Sequence, residues 1–595
     1  MRNFFFCFIL LLTSSVGLAQ NQSLARNYYK QGEFEKSLHV YQRLLESQPG
    51  RTDFLLGAIK NLQELERFEE AEAYLQKRLN KSQNQPQLYV ELGHNYTLQN
   101  KKENAEKAYR DAINAVKVQP NYAYSVGRTF RDYNLLDYAV EVFEMAMTEA
   151  DNLDFNAQLA QIYGEQGNLE KMFESYLDIL EKNEGFKNSA LRYFSNYISE
   201  DRDNEANSIF RRTVLKRSQK NTDILYNELL SWFFIQQKEF DKAFTQEKAI
   251  FRRSENKNLD GITNLANIAI GEEDYKNARE IVEYLIENAF SEGIRLHAHQ
   301  VLMEIEVLTA RPNQFPEIEK KFQNLFQEFG SGRETYLLQI DYNHFQAFKN
   351  NKKNLAVENL SRLLKERLSP FEEARIKMEL ADILVFDEKF NQALILYSQI
   401  QNKLEGDALA QEARFKVART SYFKGDFDWA QTQLDVLKKS TSQLIANDAM
   451  KLSILIKDNS LEDSTQVALK KYARADVLEL QEKNEEAIAI LEDILQNHKG
   501  ESIEDEALLK QGIIFEKTEN YEAAENNYLK IIQLHGEDIL ADEALFYLAR
   551  LYETRLNKPG EAKKYYEQIL FEHEDSIYFV ESRRKFRMLR GDAIN

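Results

Sequence analysis

The chain has 595 residues, with 77 Lys and Arg against 96 Asp and Glu, a formal charge of −19; this acidic balance argues against nucleic acid as a partner, because phosphate neutralisation needs cations. Gly numbers 21 and Pro 7, while Phe and Tyr reach 37 and 30, so glycine at about half its usual ~7% leaves a helix-forming alphabet with aromatic filler. Pro49, Pro86, Pro120, Pro312, Pro316, Pro370 and Pro559 all fall between helical patterns, where the missing N–H and the ring clash do no damage.

The first element in chain order is a short apolar run. Arg2 precedes Phe4 to Leu12, and the small residues Ser14, Ser15, Gly17 and Ala19 follow. That order is expected of a secretory signal peptide over 1–19, cleaved after Ala19. The run is about half of the ~20 apolar residues a spanning helix needs. The one cysteine, Cys7, would leave with the signal, so the exported chain is expected to carry neither thiol nor lipid anchor.

From there a repeat takes over. In GEFEKSLHVY a ring, Phe34, is followed by a small residue, Ser37, and by a second ring, Tyr41. The small position returns at Ala71, Ala105 and Ala139 with a constant spacing of 34 residues, and then at Met172, Ala206, Ala243 and Ala278 with spacings of 33 to 37. After an irregular unit it resumes at Ala356, Ala393, Ala430, Ala487, Ala524 and Ala562. Twelve residues before several of these stands another small residue, with a ring three residues on, as at Gly93 and Tyr96, Gly127 and Phe130, and Gly512 and Phe515. Two antiparallel helices that approach closely need small side chains where their ridges cross and large ones in the flanking grooves. Gly32, Gly167 and Gly425 fit the turns between them.

Stretches such as LGHNYTLQNKKENAEKAYRDAI and LAQIYGEQGNLEKMFESYLDIL resemble tetratricopeptide repeats over roughly residues 23 to 575, about fifteen units. The resemblance places Leu92, Gly93, Tyr96, Ala105, Tyr109 and Ala112 at core positions of the third unit, while the early Trp of the pattern is missing from most units. It implies an all-α TPR α-solenoid, a superhelix of antiparallel helix pairs. The expected division is a signal peptide at 1–19, an N-terminal array at 20–289, an irregular helical joint at 290–345, a C-terminal array at 346–576 and a basic capping helix at 577–595. The step from Ala430 to Ala487 is 57 residues, long enough for an extra helix near 441–457. The later units, with LADEALFYLARLYE after HGED, are similar in style to periplasmic repeat proteins, the β-barrel-assembly lipoprotein and the Tol-Pal-associated coordinator among them.

No chemistry of catalysis accompanies the repeats. There is no nucleophile elbow, no His-Glu-x-x-His and no phosphate loop, and Phe329-Gly330-Ser331-Gly332 reads as a turn. His297 and His299 are two apart on a helical pattern and so point to opposite sides. No catalytic residue, metal or cofactor is expected. What remains is surface. The family register puts His94, Tyr124, Arg128, Arg131, Gln161, Trp232 and Asn267 on first helices facing the concave groove, and aromatic and arginine side chains are the usual anchors of a partner. The family's paired Lys and Asn carboxylate clamp is absent from these positions. The resemblance therefore implies a non-enzymatic scaffold of the bacterial cell envelope, periplasmic or outer-envelope associated, that captures protein or peptide partners. The alternative is a regulator or carrier acting on peptidoglycan or another envelope polymer. Near the end, Arg583, Arg584, Lys585, Arg587 and Arg590 crowd into eight residues of an acidic chain, and are expected either to cap the array or to make a peripheral envelope contact.

Overall fold

The computed structural model describes residues 21–81, 84–201, 204–439, 442–460 and 466–592. The signal-peptide reading of 1–19, Cys7 included, lies outside these residues. Helices connected by short turns make up the described chain, and no strand occurs among the described residues. Every member of the small-residue ladder from Ser37 to Ala562 lies in the second helix of an antiparallel pair and is buried. That is why its side chain must be small: the first helix crosses there.

The pairs can be followed through one example. Gln87–Leu98 buries Leu88, Leu92, Gly93 and Tyr96, and Lys102–Val118 buries Ala105, Tyr109, Ala112 and Val116. The turn between them closes by a bond from the Lys101 N–H to the Tyr96 carbonyl of 3.0 Å around Asn100, whose φ is +59°. The same bond recurs from Arg67 to Leu62, Leu135 to Phe130 and Asn520 to Phe515, satisfying carbonyls that a helix end leaves orphaned. Glycine occupies this left-handed position at Gly167 and Gly425, but Glu66, Asn134, Glu273 and Glu519 occupy it elsewhere. Prolines start helices: Pro370 follows Ser369, whose hydroxyl accepts from the Glu372 N–H while the Glu372 carboxylate accepts from the Ser369 N–H at 2.6 Å.

The chain forms two compact units, one up to Asn258 and one from Leu259. The stretch 290–345, expected as an irregular joint, is helical and lies inside the second unit. Glu292–Thr309 and Phe315–Phe329 pack around Met303, Ile318, Phe322 and Leu325 together with Phe345. First helices of the second unit are long, 17 residues in Pro370–Phe386 and in Ala408–Lys424 against 10 in Ala123–Asp132, which accounts for the longer repeat spacing there. A helix over Gln443–Asp458 lies between two pairs, with Ala449 and Ile456 buried. The last helix, Phe579–Arg590, buries Ser582 and Phe586 against the final pair.

Candidate partner-binding notch

Within the first unit, Ala123–Asp132 turns Ala123, Val126, Gly127 and Phe130 inward. Its remaining face carries Tyr124, Arg128 and Arg131, spaced at i, i+4 and i+7. The next first helix, Asn156–Glu165, buries Leu159, Ala160, Ile162 and Tyr163 and offers Gln158, Gln161 and Glu165. Between the two helices lies a notch of about 290 Å³, walled by Tyr124, Arg128, Arg131, Asp132, Gln158 and Gln161 and floored by Phe143 and Ile162. Four of the residues singled out in the sequence, Tyr124, Arg128, Arg131 and Gln161, therefore meet in one place.

The two arginines differ in what holds them. Arg131 donates to Gln161 Oε1 at 2.8 Å and is paired with the Glu165 carboxylate, a bridge that fixes its plane across two repeats and pushes its pKa up through the bond to Glu165. Arg128 has only Asp132 within reach, at 3.9 Å on the exposed surface, a separation at which an ion pair contributes little. Its guanidinium keeps its donors for a ligand. Tyr124 beside it is 52% exposed. Gln158, Asp132 and Glu165 were not singled out in the sequence, although Gln158 and Glu165 stand three and four residues from Gln161 on the same helix.

The other groove residues fall elsewhere. His94 stacks on Tyr133 with ring centroids 3.8 Å apart, and the Tyr133 hydroxyl donates to the buried carboxylate of Glu91. Burial holds the Glu91 pKa above the carboxylate range and the His94 pKa below its ordinary value, so the imidazole is a neutral packing group. Trp232 is wedged between Phe194 and Phe210, at 6.2 and 5.9 Å, and so works mainly as aromatic core. Asn267 is exposed on the Asp260–Gly271 helix of the second unit.

In the basic tail the five cations also divide. Lys585 is half-buried and bonded to Glu553 at 2.9 Å. Arg590 and Arg587 both approach Asp592, the former at 2.8 Å from Nε. Arg583 and Arg584 are exposed. Among the described residues no group of three or more His, Cys, Asp or Glu is placed to hold a metal ion, and no helix there is long and apolar enough to cross a membrane.

Three family models, each described as a tetratricopeptide repeat, match residues 23–87, 86–115 and 543–576. The chain carries tetratricopeptide repeats. Its fold is an all-α TPR solenoid, and the notch lies between the first helices of two successive TPR pairs directly after the second matched stretch. No curated protein sequence matches the chain. Among solved structures it is similar to a chain in the structure of Naa15/Naa10 bound to HypK-THB, at 13% identity over 97% of both chains with a TM-score of 0.30. It is also similar to one in the APC/C hetero-tetramer Cut9-Hcn1, at 13% identity over 95% of both with a TM-score of 0.25.

Proposed function

We propose that this protein is a non-enzymatic scaffold that captures a segment of a partner protein on the first helices of its N-terminal TPR unit, with the notch at Tyr124, Arg128 and Gln161 as the anchor. The observation that carries the reading is the asymmetry of the two arginines. Arg131 is held by Gln161 and Glu165 as part of the wall, while Arg128 projects with its donors unspent beside an exposed tyrosine and above an apolar floor. An acidic or carbonyl-rich segment carrying one apolar side chain suits that combination. Export to the bacterial envelope belongs to the same proposal and is supported by the Arg2, Phe4 to Leu12 and Ala19 pattern. So does a peripheral contact through Arg583 and Arg584.

The test is a pulldown from solubilised envelope with Arg128→Glu and Tyr124→Ala against the unchanged chain. Loss of a defined protein partner with unchanged helicity supports the reading, and full recovery moves the site off this notch. Intact mass decides export, with a chain starting near Gln20 as the expected product.

A further inference from the structure

The end of the second unit carries apolar side chains that no part of the described chain covers. Phe571, at the close of Pro559–Glu572, is 75% exposed, Ile577 in the following turn 85%, and Val580 in the last helix 68%. One repeat earlier, Leu534 and Ile539 occupy the corresponding helix end and loop and are exposed by 63% and 72%. A stacked pair array places equivalent loops side by side, so these tips line one edge.

The last helix explains which ligand suits that edge. Ser582, Phe586 and Leu589 face the core. At 100° per residue Val580, Arg583, Arg584 and Arg587 fall within one outward sector. Apolar tips and guanidinium groups therefore share a face on a chain whose formal charge is −19. They stand on helix ends and turns and project outward, so no groove is formed that would enclose a peptide.

We infer that this edge is an interfacial lipid-binding face, with Phe571, Ile577 and Val580 entering the headgroup layer of an anionic bilayer and Arg583 and Arg584 contacting its phosphates. The inference deepens the peripheral-contact part of the proposed function by adding insertion to charge. Apolar burial supplies an attraction that salt does not screen, and the cations select the anionic surface within a Debye length. The chemistry to be recognised is a lipid phosphate with acyl chains beneath it.

Labelling reads this locally. A Cys7→Ser, Val580→Cys chain carrying an environment-sensitive fluorophore is mixed with phosphatidylglycerol vesicles and with phosphatidylcholine vesicles, beside a Cys7→Ser, Glu366→Cys control labelled on the exposed surface of the same unit. The expected result is an emission blue shift at 580 on phosphatidylglycerol that persists in 0.5 M salt at about half its size or more. The shift is at least threefold smaller on phosphatidylcholine, is reduced as much by Arg583→Glu with Arg584→Glu, and is absent at 366. No shift at 580, an equal shift on both lipids, or a shift untouched by the charge reversal overturns the inference. A shift that vanishes in salt leaves a surface charge contact without insertion and overturns it too. Crosslinking of a protein from 580 without any vesicle response assigns the edge to a protein and does the same. Partner capture through Arg128 is read by a different experiment on the other unit, so failure of one leaves the other standing.

Discussion

A Cβ added at Gly127 would stand 2.5 Å from the Phe143 ring, and one at Gly512 would stand 2.6 Å from the ring of the buried Tyr528. Both glycines serve the close crossing of two helices, and the neighbour they would strike is a rigid ring. Gly512→Ala gains ~1 kcal/mol of helix propensity and loses ~1–3 kcal/mol to overpacking. The expected outcome is a net destabilisation of about 1 kcal/mol in denaturant melts. Gly127→Ala should do the same and also displace the floor of the notch. At the notch itself Arg128→Glu is expected to leave melting unchanged, because its only near charge is exposed. Arg131→Glu puts a carboxylate against Glu165 in place of a bonded guanidinium, so it should lower stability, and an assay that reversed both arginines together would confuse binding with folding. Asp341 sets a pH dependence. Burial pushes its pKa from 3.8 up to about 7; Glu304 and Glu379 press in the same direction, while a bond from Gln300 and the charge of His344 oppose it. The folded state then holds a proton that the unfolded state releases above pH 4, so stability falls as pH rises from about 4 to 7. His344, raised by its bond to Glu379 against its own burial, changes stability in the same sense. At about 1.4 kcal/mol per pH unit the ceiling for Asp341 is ~4 kcal/mol, and its partial exposure to solvent reduces the expected share to ~1–2 kcal/mol. Asp341→Asn should flatten the difference between melts at pH 5 and pH 8.

At the scale of the element, the turn after each first helix was only partly legible. The expectation of glycine holds at Gly167 and Gly425, but Glu273 and Glu519 sit in the left-handed region with φ of +60° on exposed surface. Replacing either by Gly relieves ~0.5–1 kcal/mol of backbone strain, so Glu519→Gly should raise the denaturation midpoint. The ladder was legible because burial against a crossing helix restricts one position per repeat to a small residue, whatever else varies. The groove register was less so. It holds through Tyr124, Arg128, Arg131 and Gln161, where first helices are regular, and slips by Trp232. The short Lys187–Phe194 helix ends in a turn before Glu205–Ser218, and the indole is drawn in between Phe194 and Phe210. Side-chain partners such as Glu165 for Arg131 come from the next repeat, 34 residues on, and no local pattern announces them. The last helix bonds to the array through Phe586 and Lys585. Removing residues 577–595 should therefore speed amide exchange in Ala541–Thr554 and Pro559–Glu572, while Arg583→Glu with Arg584→Glu should not.

For the whole molecule, composition and repeat spacing were enough to give an all-α stack of pairs, since each pair can bury its apolar face only against its neighbours. The place to divide it was not legible in the same way. The irregular repeat spacing at 290–345 reflects long helices and a different pairing rhythm, whereas the compact units part at Asn258 and Leu259. We propose that fragments 21–258 and 259–592 each fold with a cooperative melt, and that a cut within Glu292–Thr309 leaves at least one fragment unfolded by circular dichroism. The central claim is capture of a partner protein at the notch, and photo-crosslinking in cells tests it most directly. A benzophenone amino acid in place of Tyr124 is expected to give a discrete protein adduct that Arg128→Glu diminishes. The same probe at Lys107, exposed on a second helix, should give none. Adducts of equal yield from both positions, or none from Tyr124, would contradict it.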